Sequence, residues 1–257
     1  MPFCSPLTIF LPLMLAHHPF AVAAQLSRTT VLTYAVPVAG LRALVPACLS
    51  LDTLDDTWAF VAVALVQTRQ LRPEGMPAFL GQDFFLIGYR VFVRYTTAAG
   101  KRLRGLYILR SETDKRRMQW LGNLFTGYHY RTIDICHKAT TDSLHFASKK
   151  ADLRIQVEMS ANGEAELPAS SPFASWAQAR RFAGPLPFTF SVDEARQQVV
   201  IVEGVREEWH PQPVRVAEAQ VGFLHELGLP DARLASAFTM TDIPYHWKKG
   251  RTELWPA

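Results

Sequence analysis

An alternation of apolar and polar positions along residues 88–111 is the most regular pattern in the chain. In the segment YRVFVRY one face carries Tyr89, Val91, Val93 and Tyr95, and the other carries Arg90, Phe92 and Arg94. After a turn at Gly100, a second segment places on one side Arg102, Arg104 and Arg110 with Leu106 and Ile108. A period of two residues is typical of β-strands. The pattern therefore predicts a β-hairpin with an arginine-bearing face.

Most other segments of the first half also favour strands. Residues 29–35 (TTVLTYA) are β-branched and aromatic, and residues 49–66 form two apolar runs around a turn at Asp55 and Asp56. Between residues 35 and 49 the sequence predicts a short helix that ends at Pro46. The second half supplies four more strand-like runs, LHFAS, ADLRIQVEM, LPFTFSV and QQVVIVEGV. These patterns predict a mainly β protein.

Two further helices are predicted near the end of the chain, over residues 216–227 and 231–238. One linker-like stretch, ANGEAELPASSPFAS, is too short to separate independent domains. No internal repeat is visible. Residues 1–257 are therefore expected to form a single domain, with a core of about residues 18–251.

Composition places the chain among ordinary globular proteins. Hydrophobic residues make up 49% and charged residues 19%, which is enough apolar material for a core. The net charge of +4 comes from basic residues scattered along the chain, whereas nucleic-acid binding needs them on one face. Three cysteines without CxxC spacing, Cys4, Cys48 and Cys136, favour a reduced, cytoplasmic protein. No nucleic-acid partner is expected.

The N-terminal apolar run, residues 7–16, resembles the core of a secretion signal. No Lys or Arg precedes Arg28, so the basic flank of such a signal is missing. Phe10, Leu13 and Leu15 are therefore expected to pack on the domain. Export through an atypical signal is the alternative. The run is too short for a membrane span, so no membrane association is expected.

Familiar catalytic and cofactor motifs are absent from the sequence. It contains no GxGxxG, no GxxxxGK[ST], no HExxH and no GxSxG. His17 and His18 would point apart on a strand, and no carboxylate lies at ligand spacing from His129 or His137. No metal site and no cofactor are expected.

Residues 122–131, GNLFTGYHYR, carry an unusual density of side chains that can donate, accept or stack. Lys115, a few residues earlier, has Arg116 and Arg117 as neighbours that could lower its pKa, but its wholly polar surroundings favour a solvated turn. Glu74 lies between two prolines, in a loop that could bend over a cavity.

Several segments together resemble the acetoacetate decarboxylase superfamily. The run VLTYAVPVAGLRALVPACLSLDT is similar to its opening. Five further segments are similar to its uncharacterised YqjF-like branch, a domain of unknown function: RQLRPEGMPAFLGQDFFLIGYRVFVRY, LRGLYILRSETD, GNLFTGYHYR, RRFAGPLPFTF and VVIVEGVREEWHP. The resemblance covers about residues 18–251 and implies an acetoacetate decarboxylase-like fold. That fold is mainly β (α+β), a twisted, partly closed β-barrel with a few short peripheral helices.

The resemblance also implies where a site would lie. Decarboxylases of this superfamily form a Schiff base on the first lysine of a Tyr-Pro-Lys-Lys-like motif, whose second lysine lowers the pKa of the first. Tyr128 matches the aromatic residue, His129 the proline, Tyr130 the nucleophile and Arg131 the second cation. A tyrosine cannot form an imine, so imine decarboxylation is not expected.

The resemblance implies two further matches. A glutamate of the family near the cavity matches Glu74, and an arginine before the first strand matches Arg28 if the alignment is shifted by one residue. The expected function is binding of a small organic acid or similar metabolite in the barrel, with Arg131 or Arg110 pairing with the anion beside Tyr128 and Tyr130. Two alternatives remain. One is a lyase or hydratase-like enzyme using Glu74 and His129 as acid and base. The other is an interaction protein with a filled barrel.

Arg131 poses a geometric problem, because residues 128 and 130 of a regular strand face away from residues 129 and 131. A bend or bulge after Gly127 is expected to turn Arg131 toward the cavity. The alternative is that Arg131 points outward, in which case Arg110 becomes the better candidate. The expected partner is an anionic small molecule, and self-association into a homo-oligomer is compatible with the sequence.

Overall fold

The strands of the protein outnumber its helices by far, as the alternation of its sequence predicts. The computed structural model describes residues 17–159, 166–184, 186–206 and 209–255, and these contain fourteen strands and four short α-helices. Phe10, Leu13 and Leu15, which the sequence predicts to pack on the domain, lie outside the described ranges. None of the described helices is long and apolar enough to cross a membrane.

Strands make up most of both halves of the chain, with the short helices between them. The strands of the first half are β1 (Val22–Pro37), β2 (Ser50–Leu51), β3 (Trp58–Pro73), β4 (Gln82–Thr96), β5 (Arg102–Thr113), β6 (Tyr130–Thr132) and β7 (Cys136–Ala139). Those of the second half are β8 (Ser143–Ser148), β9 (Leu153–Met159), β10 (Phe188–Asp193), β11 (Gln198–Arg206), β12 (Gln212–Val221), β13 (Arg233–Trp247) and β14 (Arg251–Leu254). The helices are α1 (Val38–Arg42), α2 (Arg116–Phe125), α3 (Trp176–Phe182) and α4 (Gly222–Glu226), with a 3₁₀ turn at Ala78–Leu80.

Seven strands close into a ring in the order β11-β10-β5-β4-β3-β1-β13. The last step of the ring is a short antiparallel pairing of β11 with β13, in which Gly204 lies opposite Trp247 and Arg206 opposite Tyr245. Neighbouring strands of the ring are antiparallel except β5 and β10, which run parallel. The predicted twisted, partly closed β-barrel with short peripheral helices is confirmed.

A second branch of the sheet covers the outside of this ring. Strand β12 pairs briefly with β13, and β9, β8 and β7 follow it in order. The main core lies between the two layers, where Leu32, Val63 and Ile87 of the ring pack in one cluster with side chains of the second branch. Fully burying one such side chain contributes about 1.5–3 kcal/mol.

Strand β3 shows why the ring has room inside. Its outward positions Val61, Val63 and Leu65 pack in the main core, whereas its inward positions include the small residues Ala62 and Ala64. Strand side chains alternate between the two faces, so an alternation of large and small residues fills one face and leaves the other open.

The predicted helices near the chain end are largely wrong. Residues 212–221 form strand β12, leaving only the short helix α4 from Gly222, and residues 231–238 lie largely in strand β13. Strand β13 is buried on both faces, as the run Ala235–Met240 shows. An apolar run without alternation does not distinguish a doubly buried strand from a helix.

Candidate functional site

The ring encloses a cavity of about 560 Å³. Each of its seven strands contributes to the lining, for example through Leu26, Ala64, Arg90, Ile108, Thr189, Arg206 and Met240. The barrel is therefore not filled by side chains, contrary to the alternative of an interaction protein with a filled barrel. A volume of this order is typical of sites for small molecules.

The two ends of the cavity differ. At one end Phe92 and Leu106 border a packed aromatic cluster in which the rings of Phe60 and Phe173 stack at 5.1 Å. At the other end helix α2 contributes lining residues, together with the segments around residues 18–22 and 72–80. This second end carries the exposed side chains of Met76 and Leu80, so it is the mouth.

The charged residues of the lining are all basic. Four arginines line the cavity: Arg72, Arg90, Arg117 and Arg206. Among the lining residues that the structure describes, none is Asp, Glu or Lys. Arg72 hydrogen-bonds backbone carbonyls of the mouth loop and Arg117 is exposed, which leaves Arg90 and Arg206 as the cations held by the wall of the ring. The cavity is therefore electropositive.

Arg90 lies in the middle of β4, on the inner face. Its side chain extends over Gly88, where an added Cβ would lie 2.9 Å from the arginine Nε. That Nε is buried and has no hydrogen-bond partner among the described residues. An unpaired buried donor costs free energy, so Arg90 is suited to a ligand that supplies an acceptor.

Tyr128 and Tyr130 face the cavity together, with their ring centroids 6.5 Å apart. His129 between them adopts a left-handed backbone with φ 52°. The hydroxyl of Tyr128 is buried without a partner among the described residues. Burial raises the pKa of both tyrosines, that of Tyr130 to about 12, while the nearby charge of Arg90 lowers them slightly. Both hydroxyls are therefore neutral donors at ordinary pH.

Helix α2 fixes the position of Tyr130. The backbone N–H of Tyr130 donates to Oδ1 of Asn123 at 2.7 Å, and Nδ2 of Asn123 donates to the carbonyl of Tyr130 at 2.9 Å. The ring of Tyr130 packs on Gly122, where any Cβ would overlap it. Gly122 and Asn123, the first two residues of the segment GNLFTGYHYR, thus hold Tyr130 in position.

Arg206 occupies the wall where the ring closes. Its guanidinium lies 4.2 Å from the ring centroid of Trp209 and 5.6 Å from that of Tyr245. Burial lowers the pKa of Arg206, and the positive charge of Arg90 lowers it further. The indole N–H of Trp209 is also buried without a partner among the described residues.

The expected inward bend of Arg131 is wrong. Strand β6 pairs in parallel with β5, so that Tyr130 lies beside Ser111 and Arg131 beside Glu112. Ser111 and Tyr130 line the cavity, whereas Arg131 and His129 are exposed and line a separate outer groove with Phe223. The left-handed residue His129 changes the chain direction without bringing Arg131 inside.

Arg110 does not line the cavity either. A bulge at Leu109 breaks the register between Tyr89 and Arg90, and it moves Arg110 to the face opposite Leu106 and Ile108. There the guanidinium packs 3.5 Å from the ring centroid of Phe223 and pairs with Glu226. The alternation predicted Arg110 on the same face as Leu106 and Ile108, and the inserted residue places it on the other face.

Glu112 completes this outer cluster. Its carboxylate accepts a hydrogen bond from the Tyr89 hydroxyl at 2.9 Å and lies 3.7 Å from Arg110. Burial raises the pKa of Glu112, and the Tyr89 hydrogen bond and the charges of Arg110 and Arg131 partly offset this rise. The cluster joins α4 to the outside of the ring, away from the cavity lining.

The remaining predicted residues are placed outside the cavity. A register shift of β1 against β3 between Leu26 and Arg28 leaves Thr29, not Arg28, on the inner face. Glu74 is exposed beside the mouth, with its carboxylate 3.9 Å from His246. His129 lines the outer groove with Arg131, and Glu74 lines neither that groove nor the cavity of the ring. Lys115 is exposed at the start of α2 and pairs with Asp114.

No group of metal-ligating side chains occurs among the described residues. Arginines, tyrosines and an indole are donors, and none of them is a usual ligand of divalent cations. The lining is therefore suited to an anion.

Sequence comparison assigns the protein to a known family. The model of DUF2071, described as an uncharacterized conserved protein (COG2071), matches residues 23–251. The chain belongs to the DUF2071 family. No curated protein matches its sequence.

The DUF2071 protein shares its fold with solved acetoacetate decarboxylases. The enzyme from Legionella pneumophila is 13% identical, with 91% of this chain and 88% of that chain covered at a TM-score of 0.59. A second acetoacetate decarboxylase structure is 14% identical, with 97% and 95% covered at 0.56. The enduracididine biosynthesis enzyme MppR, complexed with pyruvate, is 11% identical, with 91% and 90% covered at 0.53. The likeness confirms the acetoacetate decarboxylase-like fold.

Sequence reasoning missed Arg90 and Arg206 as the inward cations. For Arg90 a signal was present, because the strand opposite it alternates large residues with Ala62 and Ala64, and small side chains mark the open face of a ring. For Arg206 the sequence contains only the nearby Trp209. Its inward position depends on the pairing of β11 with β13.

Proposed function

We propose that this DUF2071 protein binds a small organic acid in the cavity of its ring, with the carboxylate paired to Arg90. The observation that carries the proposal is the buried, unpaired Nε of Arg90 in a lining with no described carboxylate. A buried donor is costly unless it is paired, and a carboxylate bound in bidentate geometry would pair the Nε and charge of Arg90. This proposal replaces the earlier candidates Arg131 and Arg110.

The tyrosines support the same proposal. The hydroxyl of Tyr128 has no partner within the described structure, and its raised pKa keeps it protonated. A neutral hydroxyl in this position can donate a second hydrogen bond to the bound acid. The apolar remainder of the lining would surround the body of the ligand and exclude water, which strengthens the charged contact.

An imine mechanism has no support in the cavity. The described lining contains no lysine, and Lys115, near the motif in sequence, is exposed and paired with Asp114. The acid–base pair Glu74 and His129 has no support either, because neither residue lines the cavity of the ring and only His129 lines the outer groove. Binding without imine chemistry is the function that the lining favours.

The test is calorimetric titration of pyruvate, acetoacetate and succinate into the purified protein and into Arg90→Met. Methionine keeps much of the volume of the arginine and removes its charge. Losing one partner of a buried charge pair should weaken binding by at least about 30-fold, or about 2 kcal/mol. Native mass spectrometry of the unmodified protein would show whether it carries over an acid from its host.

Arg131→Met is the matched control, because it removes the same charge from the outer groove. It should bind the same acids as the unmodified protein. Equal binding by the Arg90→Met variant, or a loss confined to the Arg131→Met variant, would overturn the proposal.

A further inference from the structure

Two cations project from different walls of the same cavity. Arg90 belongs to β4 and Arg206 to β11, and in the ring these strands are separated by β5 and β10 on one side and by β3, β1 and β13 on the other. In a closed ring of seven strands, such positions lie nearly opposite each other. The two arginines therefore line the lumen from strands on nearly opposite sides of the ring.

Each guanidinium is held by its own wall. Arg90 lies along the open face of Gly88, and Arg206 lies against the rings of Trp209 and Tyr245. These contacts fix the two groups separately, so one small anion is not needed to hold both. Two like charges enclosed in an apolar lining repel each other, and a single bound carboxylate would neutralise only one of them.

Further donors lie beside each arginine. Tyr128 lines the same cavity as Arg90, whose positive charge partly offsets the burial-induced rise in the pKa of the Tyr128 hydroxyl, and the indole N–H of Trp209 belongs to the ring on which Arg206 packs. Both are buried without hydrogen-bond partners among the described residues. The cavity thus offers two separate sets of donors, each with one cation.

We infer that the ligand carries two anionic groups, one at Arg90 and one at Arg206, and that its class is the small dicarboxylates. The inference rests on the proposed function and adds the second charge. One carboxylate would pair with Arg90 beside Tyr128, and the other with Arg206 beside Trp209. The apolar chain between them would cross the lumen.

The decisive comparison uses the unmodified protein. Malonate, succinate, glutarate and adipate are each titrated beside the corresponding monoamide, which has nearly the same size and one charge less. At least one diacid should bind at least about tenfold more tightly than its monoamide, because a charge-assisted pair is replaced by a neutral contact.

The assignment to Arg206 is tested with Arg206→Met and Arg206→Lys. Arg206→Met should bring the ratio of diacid to monoamide affinity to about one, since only one charged contact remains. Arg206→Lys keeps the charge and should retain a preference for the diacid. Arg28→Met removes an equal charge outside the cavity and should keep the full preference.

The outcomes separate the inference from the proposed function. If diacids and monoamides bind equally to the unmodified protein, the second anionic group is refuted and the proposed function stands. If the protein binds neither, both are refuted. A preference that persists in Arg206→Met would overturn the assignment to Arg206, and the comparison on the unmodified protein decides the ligand class even if that variant does not fold.

Discussion

Single residues decide which arginines face the cavity. Arg90, Arg110 and Arg131 all lie on strands in or beside the ring, yet only Arg90 points inward. The bulge at Leu109 turns Arg110 outward, and the register of β6 leaves Arg131 beside the outer residue Glu112. Adding or removing one residue in a strand therefore decides whether a side chain faces the cavity or the outside of the ring.

Gly88→Ala is the sharpest test of the Arg90 geometry. The new Cβ would lie 2.9 Å from Arg90 Nε, so the arginine side chain must move. Binding of an organic acid should weaken by about tenfold, while the free energy of unfolding changes by less than about 1 kcal/mol because a flexible side chain gives way. Calorimetric titration and urea unfolding measure the two effects.

Gly40→Ala is the matched control, since its Cβ would meet the side chain of Val36 at 3.3 Å, outside the cavity. Its affinity for the acid should stay unchanged. Undiminished binding by Gly88→Ala would show that the position of Arg90 does not matter.

Glu112 links stability to pH. Burial raises its pKa above the ordinary value of 4.5, so the stability contributed by the protonated form is present below that value and is lost as pH rises through the folded-state pKa. Glu112→Gln stays neutral throughout. From about pH 4 to about pH 8, the free energy of unfolding of the variant should therefore rise relative to that of the unmodified protein. Urea unfolding at several pH values checks this, and a constant or falling difference would contradict the cost of ionising Glu112.

The contact between helix α2 and strand β6 positions part of the cavity wall. Helix α2 lies against β6, with Gly122 under the ring of Tyr130 and Asn123 bonded to its backbone. This contact holds Tyr130 in the cavity wall although β6 has only three residues. A short strand thus depends on the neighbouring helix for its position.

Gly122→Ala tests this contact between elements. Alanine favours a helix over glycine by about 1 kcal/mol, but here its methyl group would overlap the Tyr130 ring, and such overpacking costs about 1–3 kcal/mol. We expect a lower free energy of unfolding. In a Tyr130→Leu background the overlap is relieved, so the same substitution should cost less or stabilise the protein. Equal costs in both backgrounds, measured by urea unfolding, would show that the ring is not the obstacle.

At the scale of the whole molecule, the main feature is a closed ring of strands around a cavity. Strand β3 directs Ala62 and Ala64 inward, and the β11–β13 pairing completes the wall that carries Arg206. The fold is that of acetoacetate decarboxylases, whereas the described lining holds arginines and tyrosines and no lysine. The proposed binding of an organic acid therefore does not require an imine.

Imine trapping tests this difference at the scale of the whole protein. Incubation with acetoacetate and borohydride should leave the mass of the protein unchanged, because an imine requires an amine in the cavity. Intact-mass spectrometry provides the measurement, and an acetoacetate decarboxylase treated in parallel should gain the reduced adduct. A stable adduct on any lysine of this chain, Lys115 included, would refute the expectation.

The sequence by itself determined the class of fold and most of the strands. The period of two along residues 88–111 correctly predicted the hairpin of β4 and β5, and the resemblance of several segments correctly indicated the decarboxylase-like architecture. It also indicated that Tyr128 and Tyr130 share one face. The hairpin and the shared face of the two tyrosines depend on local alternation, which is visible in one segment at a time, whereas the architecture followed from the family resemblance.

Only the tertiary structure decided which residues meet in the cavity. Because the ring is covered on its outside by a second layer, both faces of its strands are largely apolar, and the pattern does not say which face is inside. Register shifts beside Ser27 and Leu109 then reverse the facing of Arg28 and Arg110. The position of Arg206 follows from a pairing with β13, some forty residues later in the chain. Facing and long-range pairing are properties of the closed ring, and no single segment encodes them.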